Sequence, residues 1–242
     1  MAGTILVTWQ TAAAFFPSFL LPGVAEVARR LATVLGTREF AEALMVSFYR
    51  IGVGFAVAII LGTSLGLASG LSNSLRSYLR ALVSVLQSIP PITWVPLLVI
   101  LTGFGDAPII IVVALASFYP LIQSVMSAAE HVDALHLKVA RILGASRRQT
   151  LRTVYLPEVF PAAVTGTQIA FGNAWRALVA SEMVAGVGVG LGWSITFAAE
   201  IADMAGALAH IVVIGVIAAI IDRIVLEWIK HRLLRWRYVG ND

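Results

Sequence analysis

"IGVGFAVAIILGTSLGLASGLSNSL", residues 51–75, passes 25 positions without one charged side chain. Coiled at 1.5 Å per residue, a run of that length reaches about 37 Å, enough to cross a hydrocarbon core about 30 Å thick. The rest of the chain has the same character. Of its 242 residues 59% are hydrophobic and only 12% charged, with a mean hydropathy of +0.90, whereas soluble domains carry about a quarter charged residues. The chain is therefore an all-α, polytopic membrane protein. Its length suffices for five or six spans with short loops and leaves no room for a separate soluble domain, so residues 1–242 form a single transmembrane domain. Cysteine is absent, which excludes disulfides and thiolate metal sites.

Further charge-free runs cover 81–105, 107–129, 159–175 and 204–221, giving five expected spans. Residues 5–21 are a possible sixth, but Thr8, Gln10, Thr11 and Pro17 interrupt them and they reach only about 25 Å. A cleaved signal peptide fits them less well, because no basic segment precedes the apolar stretch. With alternating loops, one side collects Arg76, Arg80, Lys138, Arg141, Arg147, Arg148, Arg152, Lys230, Arg232, Arg235 and Arg237. The other holds Arg29, Arg30 and Arg38, offset by Glu26, Glu39 and Glu42. The first side, with the C-terminus, is expected in the cytoplasm, and Trp228, Trp236 and Tyr238 are expected interface anchors.

The most polar stretch of that cytoplasmic side is "KVARILGASRRQTLRTVYLP", 138–157. Asp133 can cap a helix whose apolar residues Leu135, Val139, Ile142 and Leu143 share one face, and Gly144 sits where a left-handed residue ends it. Ser146 and Gln149 have capping-box spacing and open a second helix carrying Leu151, Val154 and Tyr155. Pro157 either stops that helix or starts the next, with Glu158 in its first turn. Such a helix, elbow and helix can lie on anionic lipid, form a solvated loop, or dock a cytoplasmic partner.

Within the spans, Gly62, Gly66 and Gly70 repeat every four residues and favour close packing inside the chain over a dimer seam. Pro90, Pro91 and Pro96, with Trp94 between them, interrupt the 81–105 span and point either to a pathway lining or to a packing kink. Arg50, Arg176 and Glu182 lie toward the outer ends of their spans. Arg176 and Glu182 are too far apart for an i,i+4 pair, so Arg176 either meets an anionic solute or pairs with Glu182 of an opposing subunit. Asp222, Arg223 and Glu227 are expected to snorkel and pair at the inner end. The glycine-rich 186–192 segment has no strand before it, so it is no dinucleotide loop; it is an outer-face turn and a candidate gate. The chain lacks G-x-x-x-x-G-K-[ST], H-E-x-x-H and G-x-S-x-G, which argues against nucleotide binding, zinc hydrolysis and serine catalysis by this chain.

Ala140-x-x-x-Gly144, nine residues, then Val154-x-Leu156-Pro157 resembles the E-A-A-x-x-x-G-x9-I-x-L-P signature of permease subunits of bacterial ATP-binding cassette importers. "SFYRIGVGFAVAIILGTSLG" (47–66), "SIPPITWVPLLVILTGFGD" (88–106), "AFGNAWRALVASEMVAGVGVGLGWSI" (170–195) and "DRIVLEWIKHRLLRW" (222–236) are similar to segments of its nitrate, sulfonate, taurine or bicarbonate subfamily, in collinear order. The resemblance implies a multi-pass protein of the bacterial inner membrane whose 133–157 segment couples it to an ATPase through Lys138, Ala140, Arg141, Gly144, Ala145, Leu156 and Pro157. The signature's glutamate is Lys138 and its first alanine is Val139, a charge reversal. A dimer, two cytoplasmic ATP-binding subunits using ATP and Mg, and an extracytoplasmic solute-binding protein follow as expected partners, with no cofactor bound by this chain and no nucleic acid. An ATP-independent carrier or channel is the rival; its inverted repeat and membrane-centred carboxylates are not apparent in these spans.

Overall fold

A computed structural model describes residues 2–234. The described chain is helical without strands. Its helices are α1 (Ala2–Ala13), α2 (Val24–Leu35), α3 (Arg38–Gly70), α4 (Asn73–Gln87), α5 (Val95–Thr102), α6 (Asp106–Glu130), α7 (Ala134–Ile142), α8 (Arg147–Thr150), α9 (Leu156–Val184), α10 (Leu191–Glu200), α11 (Met204–Ile220) and α12 (Glu227–Leu233).

α6 is the central helix: Ile109, Val112, Val113, Leu121, Ile122 and Val125 are all fully buried. α3 and α9 flank it, and small residues set how close they come. A Cβ on Gly66 would stand 2.5 Å from Val125 Cγ1, and one on Gly166 would stand 2.6 Å from Ser124 Cβ. Gly62 and Gly70 face Leu121 and Tyr155 in the same way, so the four-residue glycine repeat packs within the chain. Removing those Cβ atoms lets backbones approach and brings α6 side chains into contact on both sides. Phe55 of α3 meets Phe171 of α9 edge-on, with ring centroids 5.6 Å apart.

Several boundaries differ from the sequence expectation. The first span begins at Arg38, where Thr37 accepts a hydrogen bond from Phe40 N–H, and ends at Gly70 because Ser72 caps a new helix through Leu75 N–H. The charge-free 81–105 run is no straight span. α4 stops before Pro90, a 3₁₀ turn covers Pro91–Trp94, and α5 leaves at 80° to α4. Pro90, Pro91 and Pro96 lack the N–H groups a continuous ladder needs. The expected 5–21 segment overlaps the 12-residue α1, Ala2–Ala13, about 18 Å long, and continues as turns; the helix is too short to span.

Among the described residues, three helical runs have the length and hydropathy of a span: Arg38–Gly70, Asp106–Glu130 and Met204–Leu233; the bent α4–α5 pair makes a possible fourth. α9, 29 residues long, falls outside that group. Its Thr165, Thr167, Asn173 and Arg176 lower its hydropathy, which it tolerates because α3, α6 and α10 cover much of its surface. α10 is a ten-residue helix, about 15 Å long and unable to cross. Trp228 is described, with Arg232 over its ring at 5.1 Å; Trp236 and Tyr238 lie outside the described residues, as do Arg235 and Arg237. Glu227 lies 3.9 Å from His231; among the described residues no ion pair joins it to Asp222 or Arg223, contrary to the expected cluster.

Candidate functional site

Three groups of residues carry function-relevant chemistry: one at the elbow, one in an open cavity between α4, α6 and α9, and one at the far end. At the elbow, Asp133 Oδ1 accepts from Leu135 N–H at 2.7 Å and starts α7. The helix ends in a Schellman turn. Gly144 has φ +72°, Ala145 N–H donates to Ala140 O at 2.9 Å, and Gly144 N–H donates to Arg141 O at 3.1 Å. This turn explains why alanine, glycine and alanine occupy 140, 144 and 145: the left-handed residue needs no Cβ, and Ala140, the only buried residue of α7, must be small. Ser146 and Gln149 then form a reciprocal capping box.

α8 does not stop at Pro157. It passes through a π turn, Leu151–Tyr155, where Leu156 N–H reaches Leu151 O, and continues as α9. Pro157 has no N–H to give to the preceding turn, and the widened turn absorbs that loss. Tyr155 Oη donates to Gly70 O at 2.8 Å, fixing the base of α9 to the end of α3. Glu158 reaches back to α7: its Oε1 meets His136 Nδ1 at 2.5 Å and its Oε2 accepts from Asp133 N–H. The hydrogen bond to Glu158 raises the His136 pKa above its ordinary value.

Leu135, Val139, Ile142 and Leu143 are exposed, Ile142 at 84% and Leu143 at 78%. Arg141, Arg147, Arg148 and Arg152 are exposed too, and among the described residues none forms an ion pair. A groove of about 910 Å³ runs between α7 and the base of α9, lined by His136, Val139, Ala140, Leu143, Val154 and Pro157. Leu156 and Lys138 are exposed beside it.

Between α4, α6 and α9, an open cavity of about 510 Å³ is lined by Gln87, Pro91, Tyr119, Gln123, Asn173 and Arg176, among others. Gln123 Nε2 donates to Gln87 Oε1 at 2.8 Å, and Arg176 Nη2 donates to Asn173 Oδ1 at 2.6 Å. Of the expected pathway residues, only Pro91 and Arg176 reach this cavity. Pro90 and Pro96 are exposed. Trp94 packs against the core with its indole N–H unpaired. Gln87, Gln123 and Asn173 escaped a sequence search confined to charged groups; uncharged polar residues inside otherwise apolar runs were the available signal.

Glu182 is elsewhere. It is fully buried, with Oε1 accepting from Ser47 Oγ at 2.7 Å and Arg50 Nη1 at 2.8 Å, and Oε2 accepting from Gly192 N–H at 2.9 Å. Arg50 also donates to Asp106 Oδ1 and Val189 O, both at 2.8 Å, while Ser47 Oγ accepts from Leu191 N–H. The glycine-rich turn is folded over this pair: Gly190 has φ +146°, and a Cβ there would lie 2.6 Å from Glu182 Cδ. Glu182 is therefore neither a partner for Arg176 nor a lining of the cavity, because every oxygen it has is engaged inside its own chain.

Comparison with known proteins agrees with this architecture. Residues 54–235 match the family described as "Binding-protein-dependent transport system inner membrane component". The taurine transport system permease protein TauC of Escherichia coli K12 is 33% identical over 239 residues, covering 96% of this chain and 86% of the relative. The nitrate import permease protein NrtB of Synechocystis is 28% identical over 79% of this chain and 67% of its own. Among solved structures, a chain of the inward-facing MetNI methionine ABC transporter superposes with a TM-score of 0.62 at 20% identity, over 82% of this chain and 94% of that one. The chain belongs to this family of inner-membrane permease components, as the collinear segments implied.

Proposed function

We propose that the chain is one half of a dimeric permease in an ATP-driven importer of a small anionic solute. The observation that carries the reading is the elbow: a rigid Schellman turn beside a groove, with large apolar side chains and four arginines exposed and unpaired by the described chain. Exposing Ile142 and Leu143 to water is unfavourable by about 25 cal/mol per Å², so this face suits a docked protein better than solvent. Two cytoplasmic ATP-binding subunits fill that role, hydrolysing ATP with Mg, and place the elbow and the C-terminus in the cytoplasm of a bacterial cell. A solute-binding protein delivers the solute to the opposite face, where the glycine-rich turn is a candidate gate. The relatives named for taurine and nitrate share a compact anionic group, which supports an anionic cargo. The test is uptake into proteoliposomes. Transport is expected only with the co-purified ATPase and ATP present; accumulation by this chain alone under an ion gradient would transfer it to the carriers.

A further inference from the structure

Arg176 stands out among the charges of the bundle. Measured from the contact between Gly166 and Ser124, it lies ten residues, about 15 Å, further along α9 and about 12 Å short of its end at Val184. It thus stands part-way along α9, away from both helix ends, and is exposed on the open side of the cavity. Arg50, on the neighbouring α3, is by contrast held by two carboxylates. Arg176 has one partner among the described residues, the neutral oxygen of Asn173. An arginine on the middle of a bundle helix in a membrane protein needs a counter-charge, and one without it marks a solute or ion path.

The walls around it supply donors and no competing carboxylate. Gln87 gives its amide oxygen to Gln123, so its own N–H groups remain without a partner in the described chain. Asn173 likewise gives its oxygen to Arg176 and keeps its N–H groups. Tyr119 adds a hydroxyl with no partner in the described chain. One guanidinium, carboxamide N–H groups and a phenol in about 510 Å³ form a site for an oxoanion with room for a small body and water. The opposite assignment, a cation site, would leave Arg176 repelling its own ligand.

We infer that this cavity is the recognition site for the solute's anionic group, with Arg176 as its charge partner and Gln87, Gln123 and Asn173 as orienting donors. This rests on the importer reading above. The complex reconstituted with its ATPase and solute-binding protein is offered taurine, nitrate and bicarbonate separately, for wild type, Arg176→Gln, Arg176→Lys and Gln87→Glu. The transported anion is expected to enter about ten- to a hundredfold more slowly through Arg176→Gln, the factor expected for one charge-assisted hydrogen bond. Arg176→Lys should retain part of the rate, because it keeps the charge and loses the fork. Gln87→Glu places a carboxylate on an exposed position of the same cavity, should fold normally, and should block uptake by neutralising the guanidinium. Dimer assembly and ATPase association are expected to be unchanged in all three. If Arg176→Gln and Gln87→Glu both carry the anion within about twofold of wild type, the site assignment fails while the importer reading stands. Loss of the dimer in Arg176→Gln and Arg176→Lys would make the arginine a subunit contact and overturn the assignment. A wild-type complex that carries none of the three anions, but imports an uncharged solute with ATP, would overturn the anionic reading and the site with it.

Discussion

The two ends of the bundle treat charge in opposite ways. At the glycine-turn end, Arg50 and Glu182 are buried, and each meets several groups of its own chain: a serine, two backbone N–H or C=O groups and Asp106. At the elbow end, four arginines and four large apolar side chains stand open, although the backbone beneath them is capped at every turn. A buried ion pair survives only when its remaining hydrogen-bonding capacity is filled, since desolvating it costs several kcal/mol per ion. The glycine-turn end meets that condition alone. The elbow end is rigid in its backbone and unfinished in its surface, which is the condition of half an interface. Saturation marks what this chain does by itself, and exposure marks what it does with a partner.

The largest effect is expected where the saturation is complete. Glu182→Ala strips Arg50 of one of its two carboxylates and leaves Ser47 Oγ and Gly192 N–H without their acceptor, so it should cost roughly 3–5 kcal/mol, the range for breaking a buried pair. Thermal unfolding of the detergent-purified protein measures this. A loss below about 1 kcal/mol would mean that the pair does not hold the glycine-rich turn in place, and the contrast between the two ends would collapse.

A smaller stability effect with a large functional one is expected at Gly144. A Cβ there meets no atom within 4 Å, so only the left-handed backbone opposes substitution, at about 1 kcal/mol. Gly144→Asp should therefore insert and fold, yet it adds a charge that must be desolvated on a docking face. Pull-down of the ATPase should be lost while the melting temperature barely moves. If the ATPase still binds normally, the exposed elbow is not the docking surface.

The same division explains what the sequence made legible. Composition and charge-free runs identified the fold class, since lipid imposes them on every span. The elbow was legible to single residues, because caps and left-handed turns are local: Asp133, Gly144, Ser146 and Gln149 all act within five positions of themselves. The Arg50–Glu182 pair joins residues 132 positions apart, and no local signal ties them, so the sequence offered Glu182 only as one of two alternatives for Arg176 and never joined it to Arg50. α2 and α10 went unread for opposite reasons. The first carries Glu26, Arg29 and Arg30 and fails a charge-free test. It is held instead by its apolar face, with Val27 and Val34 buried, and by an ion pair of Arg30 with Asp203 at the start of α11. The second continues an apolar run, and only the turn at Gly186, Gly188 and Gly190 reveals that it cannot be part of a span.

The smallest effect belongs to Lys138, the position where the chain departs from its family's glutamate. It is exposed on α7, and among the described residues it has no ion pair, so none of them requires a lysine there. If its ammonium meets a carboxylate on the rim of the docked ATPase, the pair contributes only about 0.2–1 kcal/mol and weakens as salt screens it over a Debye length of about 10 Å at 0.1 M. Lys138→Ala should then lower uptake mildly, and more at low ionic strength than at high. Lys138→Glu should lower it further, because it sets like charges face to face. Arg141, three residues on in α7, makes the reverse outcome informative: a glutamate at 138 is favoured beside that cation within the chain. Uptake through Lys138→Glu that equals or exceeds wild type would therefore show that position 138 answers to its own basic neighbour and that docking resides in the glycine turn and its apolar face.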